Sequence, residues 1–408
     1  MQSSVFNMTT ESQKYNIICL SNQLWDFPLW TNKRHVMGRL PKLGHNVFFI
    51  DPPINTGRLF LRHILQGKWS LQRIITKTKK DNDVTIYSPL NSHPFDKKSS
   101  IKHAKSIDRA SLEVFKDTRD RKTILWVYHV EIPFLENYLK YIKHDFLIYD
   151  CVDNYEGFPK YDTVEKKKKI ADQEKLLASR ANIVFATTPG LVEKLKKFNP
   201  NSFFTPNVGD FERFFGIKNK NFDIPDDLKN IKKPIIAFTG SVDEYKFDRE
   251  LFKKIALDYP SYSFVIIGPI ALKDRSSSKK ELGFENLDNV FFLGTKEYSK
   301  LPEYLAIFDE MIIPYQLNDY TVGGCFPVKF LDYLSAGIPT VVTDLPTYSP
   351  FSDICYISRN PNEFSQNIRK ALEENDDDKI RQRQKVAREN TWDGKISEML
   401  NLIQETMK

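Results

Sequence analysis

One stretch of the chain, residues 314–346, combines residue types that suit the binding of a phosphate-bearing ligand. Two adjacent glycines, Gly323 and Gly324, would let the backbone approach a ligand closely. Pro327 suits the start of a helix over 328–336, because its missing N–H would have no partner there in any case. The free N–H groups and the positive dipole end of such a helix favour a phosphate group. We therefore expect an anion site at this helix N-terminus.

Two charged side chains lie on the same predicted helix. Lys329, in its first turn, would add a cation beside the phosphate, and Asp332 would accept hydrogen bonds from sugar hydroxyls. Gly337 ends the helix and a strand follows over 338–343. The alternative interpretation is an ordinary helix start and stop with no ligand.

A second group of polar residues follows predicted strands in the first half of the chain. Asp150 and Asp153 close the strand that begins at Phe146, and Asp153 is a candidate general base for activating a hydroxyl group. Its alternative role is to cap the next helix. His129 ends the preceding strand and Asn22 lies in the polar loop after the first one. Both could contact a sugar, although His129 could equally have a purely structural role.

Hydrophobic runs and helical spacing alternate along the chain, as in doubly wound α/β domains. Strands are predicted at 15–19, 46–50, 84–87, 124–128, 146–149, 183–186, 234–239, 263–267, 290–293, 310–313 and 340–343. Helices are predicted at 33–43, 248–257, 300–307, 328–336 and 361–374. The pattern restarts near residue 210, which indicates two successive parallel-sheet domains. Ligands of such domains bind beyond the carboxyl ends of the strands, so two facing domains would form a cleft.

The segment Phe326–Val342 resembles the donor-binding signature of the GT-B glycosyltransferases, P-x-K-x-x-E-Y-x-x-A-G-x-P-V-V. This resemblance implies that Lys329 contacts the donor diphosphate and that Asp332 binds the nucleotide ribose. The chain departs from the pattern in having Asp332 in place of the usual glutamate. Gly324 also occupies the position of the first glutamate in the related E-x7-E enzymes. Because that glutamate contacts the donor sugar in retaining enzymes, its absence favours an inverting reaction.

Three further landmarks resemble the same family. The segment 205–210 is similar to its crossover between domains, Thr239-Gly240-Ser241 to its first phosphate-contacting loop, and Gly294-Thr295 to the loop beside its nucleobase. The resemblance implies two Rossmann-like domains facing a central cleft. Residues 1–208 would form the acceptor-binding domain, with a C-terminal helix at about 385–408 packing back on it. Residues 209–384 would form the donor-binding domain.

The segment 149–154, YDCVDN, resembles bacterial envelope-polysaccharide glycosyltransferases of the teichuronic acid and xanthan glucuronosyltransferase types. The implied reaction moves a sugar from a nucleotide-diphosphate donor to a saccharide or lipid-linked acceptor.

No cofactor or metal is expected, because the helix dipole and the lysine supply positive charge. The formal D-x-D at 81–83 is expected to be a loop. A nucleotide-sugar 2-epimerase and a non-catalytic nucleotide-sugar-binding protein remain alternatives. A dehydrogenase is disfavoured because no G-x-G-x-x-G follows the first strand, and no nucleic-acid-binding module is evident.

Composition and charge favour a cytoplasmic protein that can meet an anionic surface. The 408 residues include four scattered cysteines, and the N-terminus does not resemble a signal peptide. The net charge of +7 is uneven, because residues 1–205 carry 33 basic and 21 acidic side chains. The segment Arg58–Lys80 has seven basic residues, no acidic one, and interleaved apolar side chains, which is typical of helices lying on anionic bilayers. The alternative is that its apolar residues pack on the sheet.

Overall fold

The computed structural model describes residues 13–52, 78–88, 96–271, 279 and 282–408. Its first half is built on one eight-stranded sheet with the order β3-β4-β2-β1-β5-β6-β7-β8. These strands are β1 (Asn16–Leu20), β2 (Asn46–Ile50), β3 (Thr78–Asp81), β4 (Val84–Tyr87), β5 (Thr123–Val127), β6 (Phe146–Cys151), β7 (Ile183–Ala186) and β8 (Ser202–Phe204). All neighbouring strands are parallel except β3, which pairs antiparallel with β4 at the edge.

The second half is built on a six-stranded parallel sheet with the order β13-β11-β9-β14-β15-β16. These strands, with a small two-stranded pair, are β9 (Ile235–Thr239), β10 (Val242–Asp243), β11 (Ser263–Ile267), β12 (Ile270–Ala271), β13 (Val290–Phe292), β14 (Glu310–Ile313), β15 (Thr340–Thr343) and β16 (Tyr356–Ser358). In both sheets the strand order reverses beside the first strand of the unit. Such switch points open a crevice at the carboxyl ends of the strands.

Helices connect the parallel strands, as crossovers require. The described α-helices are α1 (Asn32–Arg39), α2 (Lys97–Val114), α3 (Leu135–Tyr141), α4 (Val164–Arg180), α5 (Pro189–Lys196), α6 (Phe211–Phe214), α7 (Arg249–Asp258), α8 (Leu301–Leu305), α9 (Asp319–Gly324), α10 (Val328–Ser335), α11 (Pro361–Leu372), α12 (Asp377–Glu389) and α13 (Trp392–Thr406). None of the helices in the described part of the chain combines the length and apolar character needed to cross a bilayer.

The last helix returns to the first unit. Trp392, at the start of α13, stacks on His35 of α1 with ring centroids 4.4 Å apart. Lys395 donates hydrogen bonds to the carbonyl groups of Thr205 and Pro206 at 3.0 Å. The chain therefore crosses between the two units twice, and the second crossing lies between α12 and α13. The helix begins at Trp392 rather than near residue 385, because α12 extends to Glu389.

The predicted α/β architecture is confirmed, and most predicted strands lie within one or two residues of their observed bounds. The predicted helix over 33–43 is an α-helix to Arg39 that continues as a 3-10 turn and ends at Gly44 in the left-handed conformation. Five short strands were not predicted: β3, β8, β16 and the paired β10 and β12. The basic segment Arg58–Lys80 lies outside the described residues up to 77, and its last three residues belong to β3 rather than to a helix.

Candidate active site

A cavity of about 310 Å³ lies between the carboxyl ends of the two sheets. Seven of the predicted site residues line it: Asp153, Gly240, Ser241, Thr295, Pro327, Lys329 and Asp332. The first unit contributes the start of α1 and the residues after β6, and the second contributes the loops after β9, β11, β13 and β14 together with α10. The fold thus joins residues that are far apart in the sequence.

Two glycines shape the floor of the cavity at the ends of β9 and β11. Gly240 has φ +140° and Gly268 has φ +147°, backbone conformations that L side chains rarely adopt. A Cβ on Gly268 would lie 2.0 Å from the carbonyl oxygen of Gly240, and a Cβ on Gly240 would lie 2.0 Å from Lys329 Nζ. Gly240 N donates to Ile267 O at 2.8 Å, and Gly268 N donates to Gly294 O at 3.0 Å. Glycine is therefore needed at positions 240 and 268, where the two loops and the Lys329 side chain approach one another closely.

Lys329 reaches this floor from the first turn of α10, whose N-cap is Pro327. Its Nζ donates a hydrogen bond to the Tyr315 hydroxyl at 3.2 Å and lies 4.1 Å from the centroid of the Phe238 ring. Burial, together with the nearby Lys246 ammonium, lowers the pKa of Lys329 to about 7. No carboxylate pairs with it among the described residues. The site therefore holds a lysine that lacks a counter-anion among the described residues.

A second lysine, Lys246, lines the same cavity and was not predicted. Its Nζ lies 3.1 Å from Asp243 Oδ2. Burial opposes its charge, but Asp243 raises the pKa of Lys246 well above its ordinary value. The sequence signal was present, since this lysine follows the strand-end Gly240 in the same loop. The two lysines place positive charge beside the N-terminus of α10.

Asp332 lies one turn along α10 and is only 7% exposed. Its Oδ1 accepts a hydrogen bond from the backbone N–H of Asp210 at 2.8 Å. Burial raises the pKa of Asp332 well above its ordinary value, and the Asp210 carboxylate adds to the effect. Asp210 is itself held by Arg39 at 3.0 Å and by Arg213 at 3.1 Å. The crossover segment therefore fixes the orientation of Asp332 in the cavity.

Asp153 follows β6 and lies on the wall of the cavity that the first unit forms, opposite α10. Its Oδ1 accepts a hydrogen bond at 2.7 Å from the hydroxyl of Tyr320, which belongs to α9 of the second unit. The alternative role as a helix cap is not observed, because the short helix that follows has Asn154 at its N-cap and no side-chain capping bond. Asp153 is thus held at the cavity by a partner 167 residues away in the sequence.

The other acceptor-side predictions lie away from this cavity. His129 and Asn22 line a separate cavity of about 170 Å³ in the first unit. Burial and the nearby Lys33 and Lys160 lower the pKa of His129 to about 3. Asp150 lines neither cavity: it is 1% exposed and accepts a hydrogen bond from Trp126 Nε1 at 3.1 Å. Burial raises its pKa, and its observed contacts are those of a core residue.

Gly323 and Gly324 do not lie in the predicted loop, because the segment 319–324 forms α9, with Asn318 as its N-cap. A Cβ on Gly323 would lie 2.9 Å from Asn154 Nδ2, and one on Gly324 would lie 3.3 Å from a methyl carbon of Leu191. Their lack of side chains therefore lets α9 approach the first unit closely, and neither glycine lines the cavity. Gly294 is placed behind the floor by its bond to Gly268.

Aromatic side chains that the sequence did not single out also border the cavity. Trp30 and Tyr298 stack across the two units with ring centroids 4.7 Å apart. Phe158 lies 4.8 Å from the ring centroid of Tyr320 on the other side. No local pattern could reveal these pairs, since each partner comes from a different unit.

The formal D-x-D at 81–83 lies at the β3–β4 hairpin. Asn82 and Asp83 have φ of +45° and +67° and form its turn. Asp81 accepts a hydrogen bond from Trp25 Nε1 at 2.8 Å. The segment is a turn, as the sequence indicated.

Comparison with known proteins adds three findings. Residues 219–390 match the family described as glycosyl transferases group 1. A Bacillus subtilis (strain 168) protein, provisionally named a teichuronic acid biosynthesis glycosyltransferase, TuaH, is 26% identical over 283 residues, or 66% of this chain and 68% of that protein.

The fold is also similar to that of solved structures. Sucrose-phosphate synthase from Thermosynechococcus elongatus superimposes with a TM-score of 0.63 at 11% identity, covering 97% of this chain and 99% of that one. Anabaena HepE in complex with UDP and glucose has the same TM-score and coverage at 13% identity.

Proposed function

We propose that the chain, whose residues 219–390 match the glycosyl transferases group 1 family and whose fold is that of the GT-B glycosyltransferases, transfers a sugar from a nucleotide-diphosphate donor bound in the cavity between its two sheets. The acceptor in this proposal is a saccharide or a lipid-linked saccharide of an envelope polysaccharide. The name of the Bacillus subtilis relative supports the polysaccharide, and the UDP and glucose bound to HepE support a nucleotide sugar.

The observation that carries the proposal is the cation above the floor of the cavity. Lys329 Nζ lies 2.0 Å from the position that a Cβ of Gly240 would take, beside the N-terminus of α10 and close enough to Lys246 for their charges to interact. A diphosphate at this point would accept hydrogen bonds from the backbone N–H groups at the start of α10. It would also interact with the positive end of the helix dipole and with the two ammonium groups. Asp332, at the same wall, is positioned to accept hydrogen bonds from the ribose.

The chemistry requires charge stabilisation on the leaving diphosphate and a base for the acceptor hydroxyl. Lys329 and Lys246 supply the first, because fixed cations in a water-poor site act where charge develops. Asp153 supplies the second from the facing wall. In this proposal the reaction inverts the anomeric configuration, since Gly324 stands where retaining relatives have a carboxylate.

In this proposal the first unit, which would bind the acceptor, also contacts a lipid surface. The basic and apolar composition of residues 58–80 suits an anionic bilayer on the cytoplasmic side. Sedimentation with anionic vesicles tests this part separately: binding should weaken with added salt, and protein that stays in the supernatant at low salt would remove the membrane from the proposal.

Calorimetric titration tests the donor site. We expect UDP to bind more tightly than UMP, and UMP about as weakly as uridine, because the β-phosphate meets the lysines. Lys329→Ala should reduce UDP affinity at least about tenfold, as expected for loss of a charge-assisted contact. The exposed Lys370→Ala, also in the second unit, is the matched control for net charge. Equal UDP affinity in Lys329→Ala and wild type would refute the proposed donor site.

A further inference from the structure

A third lysine of the cavity, Lys33, lies on the wall opposite Lys329, in the first turn of α1. It is 6% exposed, and within the described part of the chain its ammonium group has neither a hydrogen bond nor an ion pair. The described contact of its Nζ is with the Tyr128 ring, at 5.5 Å from the centroid. A buried cation without a partner carries a large desolvation cost.

Each carboxylate near Lys33 bonds another donor, although Asp150 Oδ1 has no partner, and none of them forms an ion pair with Lys33 among the described residues. Asp153 is bonded to Tyr320, Asp150 to Trp126, and Glu131 to both Lys160 and Tyr161. They act on Lys33 through longer-range attraction, and burial still lowers its pKa. The protein itself therefore offers this ammonium no close counter-anion.

The backbone around Lys33 is also open to an anion. Thr31, the N-cap of α1, donates its hydroxyl to Gln23 Oε1 at 2.6 Å and makes no capping bond to the helix. The first turn has no acidic residue and instead carries Lys33 and Arg34. Helices generally favour acids at this end, because the dipole is positive there. Thr31, Asn32 and Lys33 all line the cavity, so the uncapped N–H groups and the unpaired cation lie at the same place.

We propose that the start of α1 and Lys33 form a subsite for an anionic group, a carboxylate or a phosphate, carried by the transferred sugar or by the acceptor. The subsite is additional to the one for the donor diphosphate, which lies on the wall formed by α10 and the loop after β9. It rests on the proposed function, since it assumes that the cavity holds both substrates. Lys33 is then a specificity-determining residue that selects charged over neutral sugars.

Two neutral and charged pairs of probes, with UDP as the reference ligand, distinguish the sources of the anion. In the donor arm, affinities for UDP, UDP-glucose and UDP-glucuronate are measured by calorimetry. In the acceptor arm, release of UDP from UDP-glucose is measured with methyl glucoside or methyl glucuronide as acceptor. Wild type, Lys33→Met and the exposed Lys42→Gln are compared in both arms, with Lys42→Gln as the control for net charge.

We expect wild type and Lys42→Gln to favour the glucuronate member of one pair by about 10- to 100-fold, the range of a hydrogen bond to a charged group. Lys33→Met should lose that preference and keep its affinity for UDP. It should also unfold at the same or a higher temperature, because methionine replaces an unpaired buried charge at similar volume. The arm that shows the preference identifies which substrate carries the anion.

Three outcomes would overturn the subsite. No preference for charge in either arm would refute it. Loss of UDP affinity in Lys33→Met would assign Lys33 to the diphosphate instead, and a lower unfolding temperature would assign it a structural role. Failure of wild type to bind UDP or any other nucleoside diphosphate would refute the proposed function itself, which is a separate result.

Discussion

Lys329 and Lys246 lie in the same cavity, but their pKa values are shifted in opposite directions. Lys246 has Asp243 as a partner, which raises its pKa, whereas burial and the neighbouring Lys246 lower the pKa of Lys329 to about 7. Before a diphosphate binds, this lowered pKa leaves part of the Lys329 amine neutral near neutral pH. A bound diphosphate would supply the missing counter-charge and favour the protonated form.

This difference predicts proton uptake on nucleotide binding. At pH 8, above the pKa of Lys329, most molecules hold a neutral amine, and UDP binding should bring the proton back. Titration in two buffers of different ionisation enthalpy measures the number of protons taken up. We expect up to one proton at pH 8 and less at pH 6, where the amine is already charged. Lys329→Arg, which stays charged at both pH values, should show little of this uptake. Identical uptake in the two proteins would contradict the assignment.

Asp153 gives a second expectation at the level of single residues. Asp153→Asn keeps the size of the side chain and the contact with Tyr320 but removes the base, so UDP affinity should remain near that of wild type. Turnover should fall by about 10²- to 10⁴-fold, the usual contribution of a general base. Proton NMR of the glycosyl product gives its anomeric configuration. A product with the same configuration as the donor would contradict the inverting mechanism.

At the level of elements, the glycines that end β9 and β11 determine how closely the loops approach. Gly268→Ala would place a methyl group 2.0 Å from the backbone oxygen of Gly240 at φ +147°. We expect this substitution to destabilise the second unit by more than the roughly 1–3 kcal/mol of backbone strain alone.

The matched control is Gly216→Ala, because Gly216 has φ +70° and nothing within 4 Å of the added Cβ. It should cost about 1–2 kcal/mol, the penalty of a left-handed residue. Urea unfolding of both variants measures the difference. Equal losses would show that the approach of the Gly240 loop is not tight.

The sequence predicted the elements well where apolar runs are continuous. β2, β11 and β14 are apolar after their first residue, and their predicted bounds are those observed. α9 was missed because its six residues include two glycines, which have low helix propensity. Its capping box at Asn318 and Thr321 was a readable signal.

The sequence could predict only those residues of the candidate site that belong to a local pattern, such as the end of a strand or the start of a helix. Lys329 and Asp332 were predicted from one local pattern. In contrast, the contact of Asp153 with Tyr320 and the stacking of Trp30 on Tyr298 depend on how two separately folded units meet. Lys33 was missed for the same reason, since its burial is created by the facing strands and not by its own helix.

For the whole molecule, the return of α13 to the first unit joins the two halves. Trp392 is 1% exposed and stacks on His35. Trp392→Ala should therefore lower the free energy of unfolding by about 3–5 kcal/mol, the usual cost of truncating a buried aromatic residue. Asn401→Ala, on the exposed face of the same helix, should change it by less than about 0.5 kcal/mol. Denaturant unfolding compares the two, and equal stabilities would show that α13 does not hold the first unit.

The central claim is that both units share one nucleotide-sugar site in the cavity between them. A crystal structure of the protein grown with UDP tests it most directly. We expect the diphosphate within hydrogen-bond distance of Lys329 Nζ and of the backbone N–H groups at the start of α10, with the ribose hydroxyls at Asp332. A diphosphate bound away from Lys329, or a cavity that stays empty at saturating UDP, would contradict the claim.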